Sequence, residues 1–298
     1  MSLLNLTSDG LPNVLVVLHA AVLRMGQRGI SEAKLLEAVA PVEIVSDDSV
    51  DGDRVRKTLR SWIEMGLFIR DGTQIFANAY PEGVRTANAA MLRDFTRRAS
   101  TKAALSASVN ADIWGKAGAA DLTRTLAWML TQNVYDTDFS ELLALEGKQL
   151  ITAEREFMRN DSRLSGLKQW ARFLGFSREP FADIDPTVAL RDALTEIIAP
   201  GQSMSADAFL ERVATVLPVL DRGEWQVEVL NNISPEPGYV RTSGVVSTAL
   251  SRALLSLRAS RELVLRQRSD SGSFMVLSGS QGPRPDLTFH EVECSPGK

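Results

Sequence analysis

The stretch DRVRKTLRSWIEMGLFIRDGTQIFAN, residues 53–78, decides the reading of this chain. Val55, Leu59, Trp62 and Ile63 recur at spacings of three and four, which places one apolar stripe on a helix. Gly66 ends that helix, and Leu67–Arg70 and Thr73–Asn78 flank Asp71–Gly72, a strong short-range hairpin signal. A second stretch, residues 244–277, repeats the order. A helical run from Gly244 to about Ser260 leads into Glu262–Arg268, a Ser-Asp-Ser-Gly turn and Ser273–Leu277. The pattern leaves Arg54, Lys57, Thr58 and Ser61 of the first helix, and Ser247, Thr248, Ser251 and Arg252 of the second, to face outward.

Working outward from the first stretch, Pro12 opens a helix over about 12–25, with Val14, Leu15, Val17, Leu18, Ala21 and Val22 as a broad buried face. Ser31 and Glu32 begin a shorter helix that Pro41 stops. Asp47–Asp53 caps the third helix; it lacks the spacing and terminal Glu of a calcium loop. Three helices followed by a hairpin resemble the winged-helix plan over residues 12–78. Residues 186–278 resemble it with an insertion around Trp225–Val229 and Pro235–Gly238, read as an added strand or a partner-binding loop. In this second unit Pro186–Ile198 forms the first helix and Ser205 caps the next. The middle shows helical periodicity over 84–107, 120–130, 141–160 and 164–174. Its Trp114, Trp128 and Trp170 fit a core better than a ligand cage.

The expected class is therefore mainly α, an α+β winged-helix protein in which two winged-helix domains flank a helical middle. The divisions are an N-terminal winged domain 1–81, a helical connector 82–182, a C-terminal winged domain 183–278 and a flexible tail 279–298 rich in Gly, Pro and Ser.

Net charge is −4, which argues against coating nucleic acid by bulk charge. Local distribution says more. Arg54, Arg56, Lys57, Arg60 and Arg70 face only Glu64 between residues 54 and 70, and Arg241, Arg252, Arg258, Arg261, Arg266 and Arg268 face only Glu262 between 241 and 268. Cations on a recognition helix and its wing are where phosphate contacts form. The candidate DNA ligands are thus Arg54, Arg56, Lys57, Arg60 and Arg70, with Arg252, Arg258, Arg266 and Arg268. A solvated charged face is the competing reading for each.

No catalytic residue is assigned. The phosphate-binding glycine motifs are absent. Asp138 with Glu146–Gly147–Lys148 is similar to a nuclease pattern, but that pattern belongs on adjacent strands and this segment reads as helix. His19, on an apolar helix without a nucleophile motif, reads as a hydrogen-bonded core histidine. One cysteine, Cys294, and two histidines build no familiar zinc site, so no metal or cofactor is expected. The start lacks a basic leader and no stretch reaches the length of a membrane span, so a cytoplasmic protein without membrane contact is expected.

Met1–Ser2–Leu3–Leu4–Asn5 followed by Ser8–Asp9–Gly10–Leu11–Pro12 resembles the start of the G protein of bacterial clusters that install or police 7-deazapurine bases in DNA. That resemblance implies an accessory component of a modification and restriction system acting against foreign DNA, beside helicase and ATPase partners. The leading expectation is a non-enzymatic protein that binds DNA or scaffolds a DNA-processing complex in anti-phage defence. Two alternatives stand beside it. One is a structural adaptor similar to the kleisin-associated winged-helix proteins, for which a homodimer would count; the other is a winged-helix transcription regulator.

Overall fold

The computed structural model describes residues 3–4, 11–41, 50–116, 118–152, 155–158, 161–179, 183–234, 242–267 and 274–296. The expected cap at Asp47–Ser49, the Ser269–Gly272 turn, Pro235–Gly238, Arg241 and Arg268 lie outside these residues. Along the chain come α1 (Pro12–Met25), β1 (Ile30–Ser31), α2 (Glu32–Val39), α3 (Val50–Glu64), β2 (Phe68–Asp71), β3 (Gln74–Ala77), α4 (Ala89–Ala104), α5 (Ala120–Thr131), α6 (Leu142–Gln149) and α7 (Asp161–Phe173). Then follow β4 (Ser177–Arg178), β5 (Asp183–Ile184), α8 (Thr187–Ile197), β6 (Ser203–Ser205), α9 (Ala206–Val216), α10 (Glu224–Leu230), α11 (Thr248–Ala259), β7 (Leu263–Arg266), β8 (Met275–Gly279), β9 (Gly282–Phe289) and β10 (Glu291–Cys294). The class is α+β and mainly α.

The chain divides into two compact units. One holds residues 1–122 and 161–174, the other 123–160 and 175–298. Residues 82–182, expected as one helical connector, are shared between them. The physical reason is the apolar face of α7: Trp170 packs on Trp62 of α3 with ring centroids 5.4 Å apart, so residues 161–174 return to the first unit.

In the first unit α1 is held by α2, α3, α4 and α7 around it. Leu15, Leu18, Val22 and Leu23 fill its inner face. Helix α3 stops where Gly66 takes φ +79°. There the Gly66 N–H donates to Ile63 O and the Leu67 N–H to Trp62 O, which satisfies the last carbonyls and turns the chain into β2. The sheet order is β1-β3-β2, antiparallel throughout. Asp71 pairs with Gln74, so the hairpin loop is Gly72–Thr73, one residue later than the sequence suggests. Leu3 and Leu4 are buried, and Gly166 of α7 lies so close to the Leu4 backbone that a Cβ there would stand 2.5 Å from Leu4 O.

In the second unit the sheet is β6-β10-β7, with β8-β9 and β4-β5 as separate pairs. Two expectations fail here. The partner of β7 is β10, with Leu263 opposite Cys294 and Arg266 opposite Glu291, and not the segment after the Ser-Asp-Ser-Gly turn. The expected flexible tail therefore supplies the middle strand of the sheet, and Cys294 is buried in it. Gly and Pro in residues 279–285 hid the alternation of Val292 and Cys294, both buried, with Glu291 and Glu293. The insertion around Trp225 is neither strand nor loop but the helix α10, anchored by buried Trp225 and Val229. The helix expected over 141–160 ends at Gln149. Trp128 and Trp170 are core residues; Trp114 is only half-buried.

His19 sits in the first unit's core, its Nδ1 2.9 Å from Thr96 Oγ1 and its ring edge-on to Phe68. The Thr96 hydroxyl gives its hydrogen to Leu92 O at 2.8 Å, so Nδ1 is the protonated nitrogen of a neutral ring. Burial lowers the His19 pKa to about 4. The unfolded chain binds the proton near 6.5, so stability associated with the neutral ring is full above that value and is lost as pH falls towards 4. Lowering pH from 7 to 5 is expected to cost the first unit about 2 kcal/mol through this residue. Urea unfolding of wild type and His19→Gln at both pH values checks this: the pH-dependent loss should shrink in the variant, and an equal loss in both would contradict the assignment.

Candidate nucleic-acid interface

The α3 candidates are placed by which side of the helix the core occupies. Val55, Thr58, Leu59, Ser61, Trp62 and Met65 are buried. Arg56, Arg60 and Glu64 are exposed at successive spacings of four, with Arg54 and Lys57 at intermediate exposure. Thr58 and Ser61 were expected outward and are not. The Thr58 hydroxyl folds back to donate to Arg54 O at 2.7 Å, which lets a small polar side chain lie on the packed face. What α3 offers to solvent is a ridge of Arg56 and Arg60 flanked by Lys57. Arg70, on β2, is exposed and paired with Glu32 of α2 at 2.8 Å. Ile69 beside it is 47% exposed, an apolar side chain on the outer strand of the hairpin.

Helix α11 is covered on the side expected to face solvent. The Ser247 N–H donates to Asp221 Oδ2 at 2.7 Å, and its hydroxyl donates to the other oxygen of the same carboxylate. Thr248 accepts from the Val134 N–H and donates to Gln132 O, both at 3.1 Å. Ser251 is wholly buried: its hydroxyl accepts from the Ser278 N–H at 2.8 Å, while the Ser278 hydroxyl donates to Val246 O. Backbone bonds from Val246 N to Val276 O and from Val276 N to Gly244 O complete the seam with β8. The sequence missed this because the stripe Ala249, Leu250, Ala253, Leu254 and Leu257 accounts for one packed face, whereas serine and threonine allow a second, polar one.

Arg252 belongs to that covered side. It pairs with Asp183, donates to Ile184 O at 3.2 Å, lies 3.8 Å from Asp185 Oδ2 and rests over the Tyr135 ring with 5.5 Å to the centroid. The Asp185 carboxylate has no exposed surface and also meets Arg178 at 2.8 Å. Arg252 thus neutralises buried acid. Arg266 is exposed and bound to Glu293 of β10, with Nε 2.8 Å from Oε2. Arg258 is exposed in the last turn of α11.

The nuclease-like residues are spent on structure. Asp138 accepts from Ser140 N–H at 2.8 Å and caps a short turn. Glu146 is buried and accepts from the backbone N–H groups of Phe157 and Met158; burial pushes its carboxyl pKa up despite those bonds. Among the described residues no group of three or more His, Cys, Asp or Glu could hold a metal ion. Also among them, no helix is long and apolar enough to cross a membrane.

These placements separate the two helices energetically. Arg252→Ala leaves Asp183 and Asp185 short of a cation and is expected to destabilise the protein by about 1–3 kcal/mol. Arg56→Ala removes only an exposed side chain and should stay within about 0.5 kcal/mol of wild type. Urea midpoints of the two variants provide the check. An unchanged midpoint for Arg252→Ala would remove its structural role.

A family model described as DpdG-like matches residues 1–271. No curated protein and no solved structure matches the chain. The matched stretch runs from the buried Leu3–Leu4 segment through α11 and β7, taking in both compact units. The resemblance drawn from the first twelve residues thus extends over nearly the whole chain, and the chain belongs to the DpdG-like family, which fits a role in the Dpd DNA-modification system.

Proposed function

We propose that this chain is a non-enzymatic accessory protein of the Dpd system that binds duplex DNA through a winged helix in its first unit. The observation that carries the reading is the exposed Arg56–Arg60 ridge of α3 standing next to the β2–β3 hairpin. The order α1-β1-α2-α3-β2-β3, with its β1-β3-β2 sheet, supports α3 as the recognition helix and the hairpin as the wing. A helix with that face enters a major groove, and its arginines reach phosphates or guanine edges. The unit as a whole holds seventeen Lys or Arg against fifteen Asp or Glu, but residues 50–122 and 161–174 hold fourteen against nine. From α3 onward the local field therefore favours a polyanion, although the whole chain is acidic.

The second unit is read as the scaffolding half. A second winged-helix reading would take β10 in place of the expected second wing strand, with the β8–β9 pair inserted. Covered α11 cannot lay its N-terminal half in a groove. The unit carries twenty-two Asp or Glu against sixteen Lys or Arg, which favours protein partners over DNA. Helicase or ATPase components of the same bacterial defence system are the partners this reading expects, in the cytoplasm.

Fluorescence anisotropy with a labelled duplex across 50–200 mM salt tests the proposal. Wild type should bind at low salt and lose affinity as salt rises. Arg56→Ala/Lys57→Ala/Arg60→Ala should weaken binding at least about tenfold and flatten the log–log salt slope by roughly 0.9 for each phosphate that is no longer neutralised. Arg258→Ala/Arg266→Ala should bind like wild type. Absence of duplex binding by the intact protein at low salt would overturn the reading.

A further inference from the structure

A second cationic stretch of the first unit lies off α3. Between Arg85 and Lys102 the chain carries Arg85, Arg93, Arg97, Arg98 and Lys102 against Asp94 alone. Helix α4 occupies most of this stretch, capped at its start by Asn88, whose side chain accepts from the Met91 N–H at 2.9 Å. Leu92, Thr96, Ser100 and Ala104 form the buried face, and α4 packs on α1 through it. That leaves Arg93, Arg98 and Lys102 exposed. Asp94 is engaged by Arg97 at 2.7 Å, so the single acid of the helix is turned to its own neighbour. The Arg98 guanidinium stands over the Phe95 ring, 5.1 Å from its centroid, which holds a flexible side chain in place without neutralising it.

We infer that α4 is a second nucleic-acid contact of the first unit, in which Arg93, Arg98 and Lys102 bind the phosphate backbone of the same duplex that α3 engages. This rests on the DNA-binding reading of the first unit. Three features favour a polyanion over a protein partner. Exposed cations run along some 14 Å of the helix at about 1.5 Å per residue, with Arg98 and Lys102 four residues apart on one side and Arg93, nine residues before Lys102, on the opposite side. The helix's one large exposed apolar side chain is Met91, at the very start, so it lacks the apolar centre of a protein interface. Arginine predominates, and its planar fork suits phosphate oxygens. Backbone contacts of this kind carry no base information. They add affinity and orient the unit while α3 meets the groove.

The test compares three triple variants of the full chain with wild type in duplex binding across 50–200 mM salt, using two duplex probes of equal length and unrelated sequence. Arg93→Ala/Arg98→Ala/Lys102→Ala is expected to reduce affinity at least about tenfold at low salt and to flatten the log–log slope by about 2–3, equally on unrelated sequences. Lys116→Ala/Lys148→Ala/Arg212→Ala removes the same charge from elsewhere and should leave the slope unchanged. The third variant is the α3 triple, Arg56→Ala/Lys57→Ala/Arg60→Ala. The residues replaced on α4 and in the scattered triple are exposed, and matching thermal midpoints would show that folding is intact. If the α4 triple binds like wild type while the α3 triple is impaired, the α4 contact is overturned and the α3 reading survives. A reduction no larger than that of the scattered triple would also overturn it, as would an α4 surface that binds only an acidic protein. Failure of wild type to bind overturns both.

Discussion

Val276 exchanges backbone hydrogen bonds with Gly244 and Val246, and the division of roles proposed for the two units rests on that pairing. It lays β8 along the segment that leads into α11 and brings Ser278 onto Ser251. A helix can read a groove only with a face that its own chain leaves in water, and here the chain has taken that face. Each bond contributes modestly, on the order of 1 kcal/mol net, but the partners are buried, and opening the seam would strand several polar groups at once. The two units therefore carry the same local sequence order to different ends.

In the first unit Arg56 and Arg60 of the comparable helix are exposed. Helix α3 is packed from behind by α1, α2 and, through Trp170 against Trp62, by α7. Both tryptophans are fully buried, so the return of residues 161–174 stiffens the helix from its inner side without touching the Arg56–Arg60 ridge. The same economy holds on α4, whose inner face meets α1 while its cations stay exposed. A scaffold built this way presents charge from rigid elements, which suits phosphate contacts made without large rearrangement.

Much of the first unit was legible because its signals are local. Pro12, Ser31, Gly66 and Asp71–Gly72 mark element ends within a few residues, and the stripe Val55–Leu59–Trp62 fixes the inner face of α3. The polar faces were less legible. Thr58 and Ser251 look like surface residues in a sequence, yet each finds a carbonyl or amide close by and is buried. Long-range pairing was illegible: nothing near Leu263 announces that its strand partner is Cys294, and the Gly- and Pro-rich run before β10 disguised the middle strand as a tail. Of the candidate site, Arg56 and Arg60 were readable from helical spacing alone. Arg252 was not, because its acids, Asp183 and Asp185, lie far off in sequence. The cations of α4 form a charge run in the sequence, but no hairpin follows them to mark them as part of a recognition unit.

Hydrogen exchange of the intact protein with and without a duplex tests the central claim most directly, since it reports on both units in one measurement. Added protection should fall on peptides covering α3, the β2–β3 hairpin and α4, while Thr248–Ala259 exchanges as in the free protein. Protection confined to α11 or its sheet, with α3 unchanged, would contradict the account.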